Sequence, residues 1–165
     1  VCSILDSVRG GGFRNILLFN SHGGNQGIGQ VILEDFGAAH PDCRIAMVTW
    51  WTLAQDALAE LSKTGRFGTG HACEFETSLM MAAGAIEPNI DLPTGEFFVP
   101  SHGWADSSML HKSVGALYRS IRQISGGSGI IGRPDAATLE QGHKITMAVV
   151  RRLETVVTDL RQMGQ

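Results

Sequence analysis

Two continuous apolar runs constrain the fold of this chain most strongly. RNILLFN (residues 14–20) and CRIAMVTW (residues 43–50) each have the length of a strand. Apolar residues that run without alternation are typical of strands buried on both faces, as in parallel sheets. A helical pattern follows each run, over residues 27–39 and 52–63. The first of these helices is predicted to have an inner stripe of Ile28, Val31, Ile32 and Phe36. This order of strands and helices predicts an α/β fold whose strands pair in parallel through right-handed crossovers.

The rest of the chain is less regular. Residues 3–9 predict an amphipathic helix that ends at three glycines, and residues 71–84 predict a loop that becomes a helix. Residues 85–110 contain three prolines and little periodicity, whereas residues 136–163 give the longest helical pattern. Its apolar residues are predicted to face inward: Ile145, Val149, Leu153, Val156, Val157 and Leu160. No repeat or linker interrupts the sequence. We therefore predict a single domain over residues 1–165, which is an ordinary domain length.

Composition excludes several classes of protein. The net charge is −3 and no basic stripe is present, so nucleic-acid binding is not expected. No apolar run approaches the roughly 18 residues of a membrane helix, so no membrane partner is expected either. The three cysteines form no pairing pattern, and an odd number favours free thiols in a reducing compartment. We expect a cytoplasmic protein.

His22 stands just after the first apolar run, in the stretch SHGGNQG. Ligands of open parallel sheets bind outside the carboxyl ends of the strands, so His22 is a candidate metal ligand. The alternative is a turn at the start of a helix, in which the histidine is only hydrogen-bonded. A phosphate-binding loop is disfavoured, because the stretch has no lysine and neither of the usual glycine spacings.

His71, Glu74 and Glu76 lie within six residues in the stretch GHACEFETS. Histidine and carboxylate side chains bind Zn, Mn or Fe and also transfer protons. If the helix begins near Glu74, the two glutamates point about 200° apart, so only one of them can face a given site. The alternative is that both glutamates favour the helix dipole from the first turn. His22, His71 and one glutamate are too few ligands for a two-metal hydrolase.

Three motifs together resemble the creatininase (creatinine amidohydrolase) family: NSHGGN, then GHACEFETS, then SGIIGRPDAAT with a later QG. The resemblance covers nearly all of the chain. It implies a compact α/β fold, a three-layer sandwich with a central and mostly parallel sheet, and a site of one or two divalent metals, Zn, Mn or Fe. It also implies hydrolysis of a C–N amide bond in a small cyclic amide, a formamide or a peptide end. Homo-oligomers are common in such a family.

The resemblance also implies roles for individual residues. His22 matches the metal-binding histidine of the first motif, and His71 matches the histidine credited with proton transfer. Glu76 corresponds to an acidic position that serves as metal ligand or acid and base, and Glu74 is the other, catalytic glutamate. Trp51 falls where a tryptophan lines the substrate pocket, although it is equally a half-buried residue that ends a strand.

The sequence departs from the family pattern at several positions. Ser21 and Cys73 replace glycines, and both are small residues. Gly24 stands where creatininase proper has a glutamate, which disfavours creatinine itself as the substrate. The family's first motif, E-x-H-G-x-H-L-P-x-x-T-D, supplies further metal ligands and does not occur in this sequence. We expect it upstream of Val1, so that this sequence corresponds to the C-terminal two-thirds of a family member.

Two functional hypotheses follow. In the first, the protein is a metal-dependent amidohydrolase whose activity is impaired when this chain stands alone. In the second, the chain is a non-catalytic domain that acts in assembly or binding.

Overall fold

The computed structural model describes residues 1–97, 99–106 and 108–163. The chain divides into two compact units, each described by itself below. One unit comprises Val1–Leu53 with Val150–Gln165, and the other comprises Ala54–Val149. The α/β class is confirmed, whereas the single domain over residues 1–165 stays a prediction.

The first unit is built around a pair of parallel strands. Its elements are α1 (Cys2–Gly10), β1 (Asn15–Asn20), a 3₁₀ turn (Gly23–Asn25), α2 (Gln26–Ala39), β2 (Arg44–Thr49), α3 (Trp50–Leu53) and the second part of α7 (Leu139–Gln162). β1 pairs with β2 in parallel, with Asn15 opposite Arg44 and Asn20 opposite Thr49. The parallel pairing predicted from the two apolar runs is confirmed. Because the strands end in register, the loops that follow them begin at the same edge of the sheet.

The core of the first unit lies between the sheet and the flanking helices. Its buried members come from α1, β1, α2 and the residue just before β2: Leu5, Ile16, Phe36 and Cys43. Helix α2 approaches β2 closely at Gly29, where an added Cβ would overlap the Met47 side chain. The buried face of α2 therefore runs through Gly29 and Phe36. An inner stripe that also includes Ile28 and Val31 is wrong, because both side chains are about half exposed.

The second unit contains α4 (Gln55–Leu61), a 3₁₀ turn (Arg66–Gly68), β3 (Thr69–His71), α5 (Glu74–Ala82), α6 (Ile121–Ile124), β4 (Ile131–Gly132), a further 3₁₀ turn (Pro134–Ala136) and the first part of α7. β3 and β4 form a short antiparallel pair that the sequence patterns do not predict. The largest fully buried apolar side chains of this unit are Phe75, Leu58 and Ile145.

The helical predictions are confirmed with two corrections. The helix expected over residues 52–63 starts earlier, at Trp50, and is interrupted at Ala54, whose φ of −111° and ψ of 23° separate α3 from α4. Along α7, Ile145 and Val149 are buried as expected, whereas Val157 is exposed. Between residues 85 and 110, the described residues form no helix or strand. None of the described helices is both long and apolar enough to span a membrane.

Candidate active site

The loop that carries His22 is fixed by the last residue of β1. Asn20 is buried, and its side-chain Nδ2 donates to Thr49 Oγ1 (3.0 Å) at the end of β2. Its Oδ1 accepts from the His22 backbone N–H (3.1 Å). One amide side chain therefore ties the two strand ends together and holds the first residues of the loop.

The His22 ring caps the 3₁₀ turn that follows it. His22 is extended, with φ −137° and ψ 137°, and its Nδ1 accepts from the Gly24 N–H (3.2 Å). A Cβ at position 24 would lie 3.2 Å from Nδ1, so the loop favours glycine there. The cap uses only Nδ1, so Nε2 of the same ring is available to bind a metal. The two interpretations of His22, a residue of the helix-entry turn and a metal ligand, are therefore compatible.

Trp51 lies beside the same loop. It follows β2 as the second residue of α3, and its ring meets that of Trp50 edge-on, with centroids 5.6 Å apart. A Cβ built at Gly23 would lie 3.8 Å from Trp51 Cη2, which is ordinary van der Waals contact. The indole is only partly exposed. The first unit therefore brings His22 and Trp51 to the same edge of the sheet.

His71 ends a strand that contains a β-bulge. Thr69 pairs with Gly132 and His71 with Ile131, so Gly70 is the extra residue. A Cβ at Gly70 would lie 2.7 Å from Ile131 Cγ2 and 2.8 Å from the Ile131 carbonyl oxygen, so the bulge packs tightly on β4. Bulges of this kind redirect the side chains next to them.

The residue after His71 adopts an unusual backbone conformation. Ala72 has φ 50°, and it is the only residue other than glycine with positive φ among those the structure describes. This left-handed conformation costs an L-residue roughly 1–2 kcal/mol. The Ala72 N–H donates to Glu76 Oε2 at 2.6 Å. Glu76 therefore holds a strained turn between His71 and α5, and strain of this type is frequent at functional sites.

Glu74 is fully buried, and donors from two chain segments, residues 62–64 and Gln141, surround its carboxylate. Ser62 Oγ donates to Oε1 at 2.6 Å and Thr64 Oγ1 donates to it at 2.9 Å. The Lys63 N–H lies 3.1 Å from both oxygens, and Gln141 Nε2 lies 3.3 Å from Oε2. Glu74 and Glu76 thus have separate partners, as their positions in the helix require.

Cys73 lies between the histidine and the two glutamates and is fully buried. Burial raises the pKa of its thiol to about 11. At neutral pH the thiol is therefore protonated, and a protonated thiol is a poor nucleophile. A Cβ at Gly132 would lie 2.9 Å from Cys73 Cβ, so Cys73 packs closely against β4.

Sequence patterns did not single out Gln141 and Ser78 as part of this arrangement. Gln141 Nε2 donates to the Leu61 carbonyl (2.9 Å) as well as to Glu74, and its Oε1 accepts from Ser78 Oγ (2.8 Å). The available signal was the QG pair at residues 141–142. At Gly142 the backbone of α7 approaches α5 so closely that an added Cβ would overlap the Ser78 carbonyl oxygen.

Each unit, taken by itself, contains only part of the chemistry needed to bind a metal. The His22 imidazole and the Glu76 carboxylate are both suitable ligands for Zn or Mn. Glu76 uses one oxygen toward Ala72, and a carboxylate has about four lone-pair sites, so that bond does not exhaust it. Within either unit, however, the described residues contain no group of three or more histidine, cysteine, aspartate or glutamate side chains placed to hold a metal. Neither unit provides a full ligand set by itself.

Comparisons with known proteins agree on one family. Similar solved structures include a manganese form of creatininase (TM-score 0.64, 20% identity), which aligns with 95% of this chain. A zinc–zinc form of a creatininase point mutant matches equally well, and a creatininase mutant complexed with creatine has a TM-score of 0.62 at 20% identity. The chain spans 60% of the length of the first two of these proteins and 62% of the third. No curated protein sequence matches the chain. The family model described as creatininase, creatinine amidohydrolase, matches residues 1–157. This chain therefore belongs to the creatininase family.

Proposed function

We propose that the protein is a metal-dependent amidohydrolase that cleaves a C–N amide bond in a small substrate. The substrate classes that we propose are a cyclic amide, a formamide and a peptide end. Family membership over residues 1–157 supports the reaction class. The structural observation that supports this reaction class is the position of His71. It directly precedes a strained turn at Ala72, which the Glu76 carboxylate holds in place.

His22 is proposed as a metal ligand, and Glu76 as a ligand or as an acid and base. A bound divalent ion would supply Lewis acidity, polarising the amide carbonyl and lowering the pKa of water. Further ligands are needed, because neither unit groups three donors among its described residues. We propose that they come from protein segments outside those residues; the related creatininase structures include a manganese form and a zinc–zinc form.

His71 is proposed to transfer a proton to the leaving nitrogen of the amide. Imidazole is the side chain used most often for this purpose at neutral pH. The bulge at Gly70 and the turn at Ala72 fix the backbone on both sides of His71. The partly exposed ring of Trp51 is proposed to provide an apolar surface for the substrate.

We also propose a cellular location and an oligomeric state for the enzyme. All three cysteines are free, which favours the cytoplasm as the location. We further propose a homo-oligomer and a small-molecule amide as the partners of this chain. The most direct test of assembly is the molar mass of the full-length protein by light scattering.

The test of function compares two histidines in the metal-loaded, full-length protein. A panel of creatinine, a hydantoin, an N-substituted formamide and a dipeptide amide is assayed for hydrolysis, and bound metal is measured by mass spectrometry. His71→Ala should reduce turnover by about 10²–10⁴ with the metal retained. His22→Asn should lose the metal, although the asparagine oxygen still caps the turn at Gly24.

These variants also distinguish the two functional hypotheses. If the wild-type protein binds no divalent metal and hydrolyses no member of the panel, the amidohydrolase hypothesis is contradicted. The hypothesis of a non-catalytic role in assembly or binding is then favoured. Equal loss of metal in His71→Ala and His22→Asn would contradict the division of roles. His22→Ala, which removes both the cap and the imidazole, separates the stability of the loop from its affinity for metal.

A further inference from the structure

We propose that Glu74 and Gln141 are positioning residues, which form a buried polar clamp that holds the turn after His71. The clamp consists of Ser62, Lys63, Thr64, Glu74, Ser78 and Gln141. This inference rests on the proposed function, since the group it positions is the proton-transferring His71. It replaces direct catalysis as the role of Glu74.

The contacts of the carboxylate favour anchoring over proton transfer. Oε1 accepts from two hydroxyl groups, Ser62 Oγ and Thr64 Oγ1, and from backbone N–H groups at residues 63 and 64. Oε2 accepts from Lys63 N and Gln141 Nε2. A carboxylate accepts about four hydrogen bonds, so the protein itself fills the capacity of Glu74. With none of its surface exposed, this side chain is placed to hold structure.

The orientation of Gln141 is determined by its partners. The side-chain Nε2 of Gln141 donates one hydrogen to the Leu61 carbonyl oxygen and the other to Glu74 Oε2. Both oxygens can only accept, so the amide nitrogen must face them. The amide oxygen accepts from Ser78 Oγ, which in turn accepts from the Thr138 N–H at 3.0 Å. Every polar atom of the Gln141 amide therefore has a partner, as a buried polar network requires.

Lys63 contributes to the clamp through its backbone only. Its N–H donates to Glu74, whereas its ammonium group donates to the Ala136 carbonyl at 3.0 Å and to Thr138 Oγ1 at 3.3 Å. The same residue therefore links the end of α4 to α5 and to the segment before α7. The clamp joins three parts of the second unit that are distant in sequence.

The clamp acts on His71 through the first turn of α5. Glu74 is the first residue of that helix, and Glu76 in the same turn holds the Ala72 N–H. If the first turn is no longer anchored, the Glu76 carboxylate loses its fixed position and the strained Ala72 peptide is free to relax. His71, the residue immediately before Ala72, then loses its orientation. A misplacement of about 1 Å in a catalytic group is enough to reduce turnover about 10²-fold.

Two variants break the clamp from opposite sides. Glu74→Gln places a side-chain NH₂ group, itself a donor, against the donors at residues 62–64. Gln141→Leu removes the amide that bonds to Glu74 and leaves the donors at residues 62–64 in place. Matched controls are Glu60→Gln on an exposed position of α4 and Gln162→Leu on an exposed position of α7. If Glu74→Gln does not fold, Gln141→Leu decides the question alone.

Activity is measured on the metal-loaded full-length protein, with the panel member that the wild type hydrolyses fastest. We expect each clamp variant to lower kcat about 10- to 100-fold, with KM changed less than about twofold. The pH profile of kcat/KM should keep both of its limbs, because no titrating catalytic group is lost. Loss of a limb in Glu74→Gln would show that Glu74 itself exchanges the proton, and would overturn the proposal.

Amide hydrogen exchange provides a readout that does not depend on activity. In both clamp variants we expect the Ala72 amide to exchange about tenfold faster, together with the amides of Lys63 and Thr64. Faster exchange at Lys63 and Thr64 with Ala72 unchanged would overturn the positioning role, because the clamp would then stabilise only its own loop. If the wild type hydrolyses no member of the panel, the proposed function fails, and the exchange at Ala72 still decides whether the clamp holds the turn.

Discussion

Glu76 Oε2 lies 2.6 Å from the backbone nitrogen of Ala72, a residue held at φ 50°. The side chain of the third helical residue thus reaches back beyond the helix start, in the way that a capping box does. The bond offsets part of the cost of a left-handed alanine. Because this turn separates His71 from α5, the stability of the turn and the orientation of the histidine depend on the same hydrogen bond.

Replacing Ala72 with glycine tests whether the turn is strained. Glycine adopts positive φ without steric cost, so Ala72→Gly should raise the free energy of unfolding by about 0.5–1 kcal/mol in urea titrations. The control is Ala59→Gly at an exposed position inside α4, where glycine should cost about 0.5–1 kcal/mol. A loss of stability in Ala72→Gly as large as that of the control would show that the turn is unstrained.

The crossing of α5 and α7 depends on Gly142. An added Cβ would overlap the carbonyl oxygen of Ser78 and lie 2.9 Å from Ala82 Cβ, and backbone atoms cannot move aside cheaply. Gly142→Ala should therefore lower the free energy of unfolding by about 3 kcal/mol. Gly10→Ala is the matched control, because that helical glycine faces open space and alanine should stabilise it by about 0.5–1 kcal/mol. Similar unfolding midpoints for the two variants would contradict the tight crossing.

The sequence predicted the edge of the sheet where His22 and Trp51 lie. Two continuous apolar runs implied parallel strands, and the carboxyl ends of parallel strands share an edge. Periodicity likewise separated Glu74 from Glu76, because residues two apart on a helix cannot share a face. These inferences succeed since each depends on local spacing and on one general rule of chain geometry.

The polar clamp and the strained turn could not be predicted in the same way. Gln141 is 67 residues from Glu74, and nothing in the spacing of either residue selects the other as a partner. Alanine at position 72 carries no signal of positive φ, which only the surrounding contacts impose. The prediction that Ile28 and Val31 face inward on α2 is wrong for a related reason. The helix has more apolar residues than its contact with β2 can cover, so Ile28 is left exposed.

Trp51 provides a test of the proposed substrate surface. Its indole lies beside Gly23 in the loop of His22, so its removal should weaken substrate binding without removing a reacting group. Trp51→Ala should raise KM about tenfold and change kcat less than about threefold, as expected when binding is lost equally from the ground and transition states. Trp104→Ala, which removes an exposed indole stacked on His102, is the control and should leave both constants unchanged. A fall in kcat with constant KM in Trp51→Ala would argue against a binding role.

Cys73 predicts a loss of stability at alkaline pH. Burial raises the pKa of the folded thiol from the ordinary 9.0 to about 11, so the unfolded chain releases this proton first. The thiol contribution is therefore fully present below pH 9 and is lost as the pH rises from about 9 through 11. Two pKa units correspond to about 2–3 kcal/mol. Urea titrations at about pH 8 and pH 10.5 should show a smaller decrease for Cys73→Ala than for the wild type. Cys2→Ala, which removes an exposed thiol, should keep the wild-type decrease. Equal decreases in Cys73→Ala and the wild type would show that other groups cause the alkaline loss.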